Sequence, residues 1–255
     1  MAEHKIYMAT VALEPNRWGS KESSFPVSEW MDRFDEDGFD GVEIWDNHYL
    51  KASADEQSRL AEKAPIAVFN SYVGFDDASA KARQQTAQAI TKCGSWGIKY
   101  NFGYNTDLVE EYTRNLLEWE KSLPPHCVLL CECHQGTPLE TVEAAKAVFD
   151  QLDPERFALI VHLAMDGSRD WFEAFGKRIK HVHIQLRDDV SDPSKPEGRE
   201  ALRTSIARTL ENGFEGSFSL EFTRGIGKDE KIEELYANAS SDLREIKAAL
   251  KSIVK

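Results

Sequence analysis

Short apolar runs rich in β-branched and aromatic residues recur along the chain, separated by segments whose apolar positions follow helical spacing. The runs cover residues 6–13, 41–45, 66–73, 98–104, 127–134, 157–163, 179–186 and 217–222, and amphipathic segments include 27–37, 78–93, 108–121, 139–152, 199–211 and 231–253. Strands that alternate with helices predict a parallel sheet, and eight repeats favour closure into a barrel over an open sheet. The expected fold is therefore α/β, a single (β/α)8 TIM barrel with its active site at the C-terminal ends of the strands.

Loop lengths agree with that arrangement. Helix-to-strand connections are terse, as in Asp37-Gly-Phe-Asp, Ser95-Trp-Gly, Leu123-Pro-Pro-His and Asn212-Gly-Phe-Glu-Gly, whereas the strand-to-helix segments 14–25 and 188–198 are long. Elaborated loops at the C-terminal ends of barrel strands are where active sites form. Segment 188–198, with Pro193 and Pro196, reads as a lid or as an inert surface loop. The charge run 228–234 reads as a solvated helix start. No linker or low-complexity tract interrupts residues 1–255, so one domain is expected.

Composition narrows the function classes. A net charge of −13 sets nucleic-acid binding at a disadvantage, because such a surface repels phosphate backbones. An apolar fraction of 41% supports a sizeable core rather than disorder. No apolar run approaches the length that spans a bilayer, and the first residues lack a signal-peptide layout. Cys93, Cys127, Cys131 and Cys133 do not form a disulfide framework pattern, so a reduced, cytoplasmic protein is expected.

Chemistry enters through parity. Glu43, Glu132, His162, His183 and Glu221 each stand between two apolar or cysteine neighbours, late in their strands. Side chains alternate across a strand, so if the apolar neighbours meet the helices, these polar groups point into the barrel. Taken singly, each is as readily structural as functional. Together they bury carboxylates, and Lys and Arg are read as absent from the inward positions until Arg187 and Arg224 near the rim. A divalent cation would neutralise two carboxylates, and two imidazoles would complete a four-ligand set of Glu132, His162, His183 and Glu221. Those residues come from strands five to eight, adjacent around the wall.

Four segments carry a resemblance to a known family. Gly38-Phe-Asp-Gly-Val-Glu-Ile-Trp45, Leu130-Cys-Glu-Cys-His134, Lys180-His-Val-His183 and Gly213-Phe-Glu-Gly-Ser-Phe-Ser-Leu-Glu221 resemble the second, fifth, seventh and last strands of the xylose isomerase-like TIM-barrel superfamily. That superfamily holds sugar phosphate isomerases, ketose 3-epimerases, inosose dehydratases and endonuclease IV of AP endonuclease family 2. The resemblance implies Glu132, His183 and Glu221 as metal ligands, with Glu132 and Glu221 also catalytic as acid and base. Two departures stand out. The usual strand-six Asp-x-x-His is here His162-Leu-Ala-Met165, and the Lys and Asp common after the seventh-strand His are Gln185 and Leu186. With His162 as a ligand, the bound site is formally neutral, and its imidazoles suit Mn first, with Co, Zn, Fe or Mg as alternatives.

The remaining candidates are substrate contacts. His134 lies one step above Glu132, and His181 about 7 Å deeper than His183 along its strand. Glu43 and Trp45 face inward, Trp45 as a wall for a sugar ring or as packed core. Asn70, Tyr72, Asn101 and Tyr104 end strands three and four where they could read hydroxyls, and Arg187 sits at the rim. His4, His48 and His126 read as surface residues. The expected activity is a metal-dependent sugar or sugar phosphate isomerase or epimerase working by proton abstraction and an enediolate intermediate. The alternatives are a metal-dependent dehydratase or lyase on a sugar or cyclitol, and a non-catalytic sugar- or partner-binding barrel. The expected partners are a small carbohydrate and, as in relatives, further copies in a homodimer or homotetramer, with neither nucleic acid nor membrane. Nicotinamide or ATP chemistry has no motif to support it.

Overall fold

The computed structural model describes residues 4–63, 65–163, 168–187, 192–227 and 231–253. Its strands are β1 (Ile6–Ala9), β2 (Val42–Trp45), β3 (Ile66–Asn70), β4 (Gly97–Tyr100), β5 (Val128–Glu132), β6 (Phe157–His162), β7 (Ile179–Gln185) and β8 (Ser217–Phe222). All neighbours pair in parallel in sequence order, and β1 closes on β8 with Tyr7 opposite Ser219, so the sheet is a closed (β/α)8 barrel. Helices α1 (Met31–Asp37), α2 (Asp46–Leu50), α3 (Ala54–Glu62), α4 (Ala80–Cys93) and α5 (Val109–Glu120) cover its first half. Helices α6 (Val142–Phe149), α7 (Ser168–Phe175), α8 (Pro196–Glu211) and α9 (Ile232–Ile253) cover the second. Residues 188–191 of the expected lid and 228–230 of the charge run lie outside the described residues. No helix among the described residues is long and apolar enough to cross a membrane.

Strand parity sorts side chains into two cores. Met8, Val42, Ile44, Phe69, Ile98, Leu129, Cys131, Val182 and Leu220 face outward and pack under the helices. Tyr7, Val68, Leu130, Ala158 and Ile160 form a separate apolar plug in the barrel lumen, with Trp96 and Val128 against it. Above the plug the inward positions turn polar, in the order Glu43, Asn70, Lys99, Glu132, His162, His183 and Glu221 around the wall. The plug and the alternation together confine the polar groups to one end of the lumen, the end from which the strand-to-helix loops leave.

The first apolar run departs from expectation. β1 ends at Ala9, and Thr10–Leu13 form a buried 3-10 turn. An unbroken apolar run carries no periodicity to distinguish strand from a buried turn, and tertiary bonds decide it. Thr10 Oγ1 accepts the Trp45 amide at 2.9 Å and lies 2.8 Å from His48 Nδ1. His48 is thus buried, not a surface residue: its Nε2 reaches Glu14 Oε2 at 3.0 Å, and Glu14 also accepts from Ser24 and Asn16. This fully buried carboxylate ties the long first loop to β2 and α2. His126 is exposed, as expected, whereas His4 is half-buried, its Nδ1 2.8 Å from Gly216 O.

Gly97 opens β4 at an inward position against the plug. A Cβ there would lie 2.8 Å from Leu130 Cδ1 and 3.3 Å from Val68 Cγ2. Gly97→Val should cost about 1–3 kcal/mol by overpacking, lowering the thermal midpoint by several degrees in a melting experiment. An unchanged midpoint would show that the plug yields.

Candidate metal centre

Four side chains from four adjacent strands converge at the polar end of the lumen. One ligand atom from each of Glu132, His162, His183 and Glu221 can be chosen so that all lie within 4.8 Å of one another. His162 Nε2 is 2.9 Å from Glu132 Oε1 and 3.9 Å from Glu221 Oε2. His183 Nδ1 is 3.4 Å from Glu132 Oε1 and 3.3 Å from Glu221 Oε2. His162 and His183 lie nearly parallel, their ring centroids 5.7 Å apart.

The tautomer of His183 makes this cluster more than a polar patch. Its Nε2 faces Glu43 Oε2 at 3.2 Å, and a carboxylate there can only accept, so Nε2 carries the proton. Nδ1 then presents a lone pair, is buried, and has no hydrogen-bond partner. It points toward two carboxylate oxygens, which are also acceptors. Three acceptors facing one another are stabilised only by a proton or a cation between them. The donor set of two carboxylates and two imidazoles fits a divalent ion, and of the candidates suits Mn, Fe, Co or Zn better than Mg.

Glu43 sits behind the cluster, fully buried. Its Oε2 meets His181 Nε2 and His183 Nε2, each at 3.2 Å, and its Oε1 accepts from Asn70 Nδ2 at 2.6 Å. Burial would raise the Glu43 pKa, but the two imidazoles hold it well below the usual carboxylate range. His181 is further engaged by Ser217 and Ser219, both at 2.8 Å. A carboxylate behind a ligating histidine fixes its ring and raises its basicity.

Lys99 corrects the reading that the inward positions lack a cation. It is fully buried on β4, between outward Ile98 and Tyr100, with Nζ 2.9 Å from Glu132 Oε2 and 2.8 Å from Asn101 Oδ1. The Tyr72 ring centroid lies 4.1 Å from the same nitrogen. Burial raises the Glu132 pKa, yet Lys99 and the histidines bring it well below the usual range. Lys99 itself is held charged, its burial outweighed by Glu132. The same apolar-flanked pattern that marks Glu132 marks Lys99 in the sequence. Counting Glu43, Glu132 and Glu221 against Lys99 leaves a formal −2, the charge that one divalent ion cancels.

The other expected contacts are dispersed. Trp45 is buried edge-on to His48. His134 has left β5, and its Nδ1 donates to Gln135 O at 2.7 Å, with Tyr104 6.4 Å away. Arg187 lies at the exposed rim over the Phe222 ring. Gln185 donates to Glu221 Oε2 at 2.7 Å, and Leu186 is buried.

Comparison with known proteins bears on the fold. No protein-family model matches the chain, and no curated protein is significantly similar in sequence. Solved structures are similar, among them a D-psicose 3-epimerase with D-tagatose from Clostridium cellulolyticum H10, at TM-score 0.68 and 13% identity, covering 98% of both chains. A probable 3-DHS dehydratase, AsbF, from Bacillus anthracis matches at TM-score 0.65 and 15% identity, over 94% of this chain and 98% of that one. A xylose isomerase-like TIM barrel protein from Mycobacterium smegmatis, in complex with magnesium, matches at 0.65 and 15%, over 97% and 98%. The chain shares the fold of the xylose isomerase-like TIM barrels.

Removing Lys99 leaves the buried Glu132 carboxylate without its cation. Lys99→Met should therefore cost about 3–5 kcal/mol of unfolding free energy in denaturant titrations of metal-free protein. A loss below about 1 kcal/mol would mean that Glu132 finds its compensation elsewhere.

Proposed function

We propose that this protein is a divalent-metal-dependent isomerase or epimerase of a small sugar, working by proton removal next to a carbonyl. The observation that carries the reading is the buried lone pair of His183 Nδ1, aimed at two carboxylates with no donor between them. Glu132, His162, His183 and Glu221 would hold the ion. When bound, it supplies Lewis acidity that makes the C–H beside a carbonyl easier to deprotonate.

The two glutamates are not equivalent. Glu132 is committed: Oε2 to Lys99 and Asn101 (3.0 Å), Oε1 to His162. Glu221 uses Oε2 toward Gln185 and the histidines, while its Oε1 makes no hydrogen bond among the described residues. Burial raises the Glu221 pKa, and His183 lowers it below the usual value. We assign Glu221 as the side chain that removes the proton. Glu132, three strands away, would deliver a second proton, drawn from solvent, to the enediolate, while Glu221 gives its own proton up to solvent; Lys99 stabilises the Glu132 carboxylate that this leaves. Return to the opposite face at the same carbon gives epimerisation, and return to the adjacent carbon gives isomerisation. Glu43 acts through His183 as an orienting carboxylate.

The first test is elemental analysis of purified protein beside Glu132→Gln and His162→Ala. The wild type should hold about one ion per chain and both variants should lose it. Loaded wild type should then exchange carbon-bound protons of ketoses or aldoses with D2O, and Glu221→Gln should slow this by about 10²–10⁴-fold. Failure to bind Mn, Co, Zn or Mg sinks the mechanism. Loss of a water molecule from substrate, seen as a new double bond in the ultraviolet, would instead place the chemistry with dehydration.

Uptake should also depend on pH. Burial works against a charged His183, but Glu221 and Glu43 raise its pKa well above the ordinary imidazole value. A proton and the ion therefore compete for the Nδ1 lone pair. Mn2+ affinity should rise as pH climbs above the ordinary imidazole range, with proton release seen by calorimetry in buffers of different ionisation enthalpy. Affinity independent of pH would contradict the His183 assignment.

A further inference from the structure

Beside the metal centre lies a cleft of about 260 Å³ between the β3 and β4 loops. Its floor is shared with the centre: Asn101 lines it and bonds both Lys99 and Glu132, and Tyr72 lines it with its ring over Lys99. The volume is just under the ~300 Å³ at which small-molecule pockets usually begin, room for one ring rather than a whole disaccharide.

The lining specifies chemistry. Tyr72, Tyr104 and Tyr112 contribute rings, and none of their hydroxyls makes a hydrogen bond among the described residues. Tyr104 is 69% exposed and Tyr72 48%, leaving large aromatic faces open on the cleft. Asn105 spends its carbonyl on capping the turn before α5, leaving its amide hydrogens to the cleft. No lysine or arginine lines the space, and Asp76 makes it negative if anything. Gly103, at φ +115°, lets the Tyr112 ring close against its backbone: a Cβ there would meet that ring. Flat apolar faces beside unpartnered hydroxyl and amide donors suit a neutral, hydroxyl-bearing ring and give a phosphate nothing to pair with.

We infer that this cleft is a subsite for a second, uncharged sugar ring, so that the substrate is a glycoside or disaccharide whose reacting end sits at the metal centre. The inference rests on the proposed function for what happens at that reacting end, and adds the substrate class. The Tyr104 and Tyr72 rings would cover the second ring's C–H faces. The tyrosine hydroxyls and Asn105 would take its hydroxyls, and Asn101 would mark the junction of the two chambers.

The test is isothermal titration of Mn2+-loaded and EDTA-treated protein with two matched sets: fructose, palatinose and fructose 6-phosphate, and glucose, cellobiose and glucose 6-phosphate. In at least one set the disaccharide should bind about tenfold tighter than its monosaccharide, in both states of the protein, and the phosphate ester should gain nothing. Tyr104→Ala should erase the disaccharide's advantage and Tyr104→Phe should retain most of it, each protein's own monosaccharide affinity being the reference. Disaccharides that bind no better than monosaccharides, undetectable binding of either, or a preference for the phosphate ester would each overturn the subsite. Absent metal uptake would sink the metal-dependent reading alone, because the cleft's preference is also read in EDTA-treated protein.

Discussion

Three carboxylates, Glu43, Glu132 and Glu221, are buried at one end of a barrel, and Lys99 is the one lysine or arginine among the described residues that pairs with any of them. Uncompensated charge in such a place costs several kcal/mol per ion. The rest of the site reads as an answer to that deficit. His181 and His183 share Glu43, His162 approaches Glu132, and His183 Nδ1 is left facing two acceptors. Protons can fill the gap at a cost that grows with pH, or a divalent ion can fill it outright. In the proposed reading a cation takes that place and passes its electrostatic pull on to the substrate oxygen.

The barrel supplies the confinement. The apolar plug of Tyr7, Val68, Leu130, Ala158 and Ile160 closes the lumen below, so polar groups on seven strands, β2 to β8, have one end in which to meet. Parallel pairing in sequence order then sets neighbours side by side: His162 opposite His183, and Ser219 between His183 and Tyr7. Strands carry the candidate ligands and their supporting carboxylate, while the Tyr72 and Tyr104 rings and the first loop pinned by Glu14 belong to the loops above them. Chemistry on strands and selectivity on loops is the usual division in this fold.

Much of this was legible in the sequence, for one physical reason. Period-two alternation forces an inward position to declare itself, and Glu132, His162, His183 and Glu221 each stood out against apolar neighbours. Lys99 obeyed the same rule between Ile98 and Tyr100, but the fourth run, read as 98–104, set it at the start of its strand, whereas β4 stops at Tyr100 and places it near the polar end. The role of Glu43 behind His183 depends on which side of an imidazole it faces, which spacing does not encode. His48 was misplaced because its burial depends on Glu14 and Thr10, thirty-odd residues away on another element. The early end of β1 was hidden in an apolar run with no period at all. The cleft between the β3 and β4 loops was not legible either, since it arises from loops folding over one another.

The central claim is that a divalent ion sits on His183 Nδ1 between Glu132 and Glu221. Crystals of the protein soaked in Mn2+, measured at the manganese absorption edge, test it most directly. The account predicts one strong anomalous peak at bonding distance, about 2.0–2.3 Å, from His183 Nδ1, His162 Nε2 and one oxygen of each glutamate. Lys99 should remain on the other oxygen of Glu132. A peak elsewhere, or none with the four side chains still converging, would show that protons alone balance the site, and the metal-dependent reading would fall.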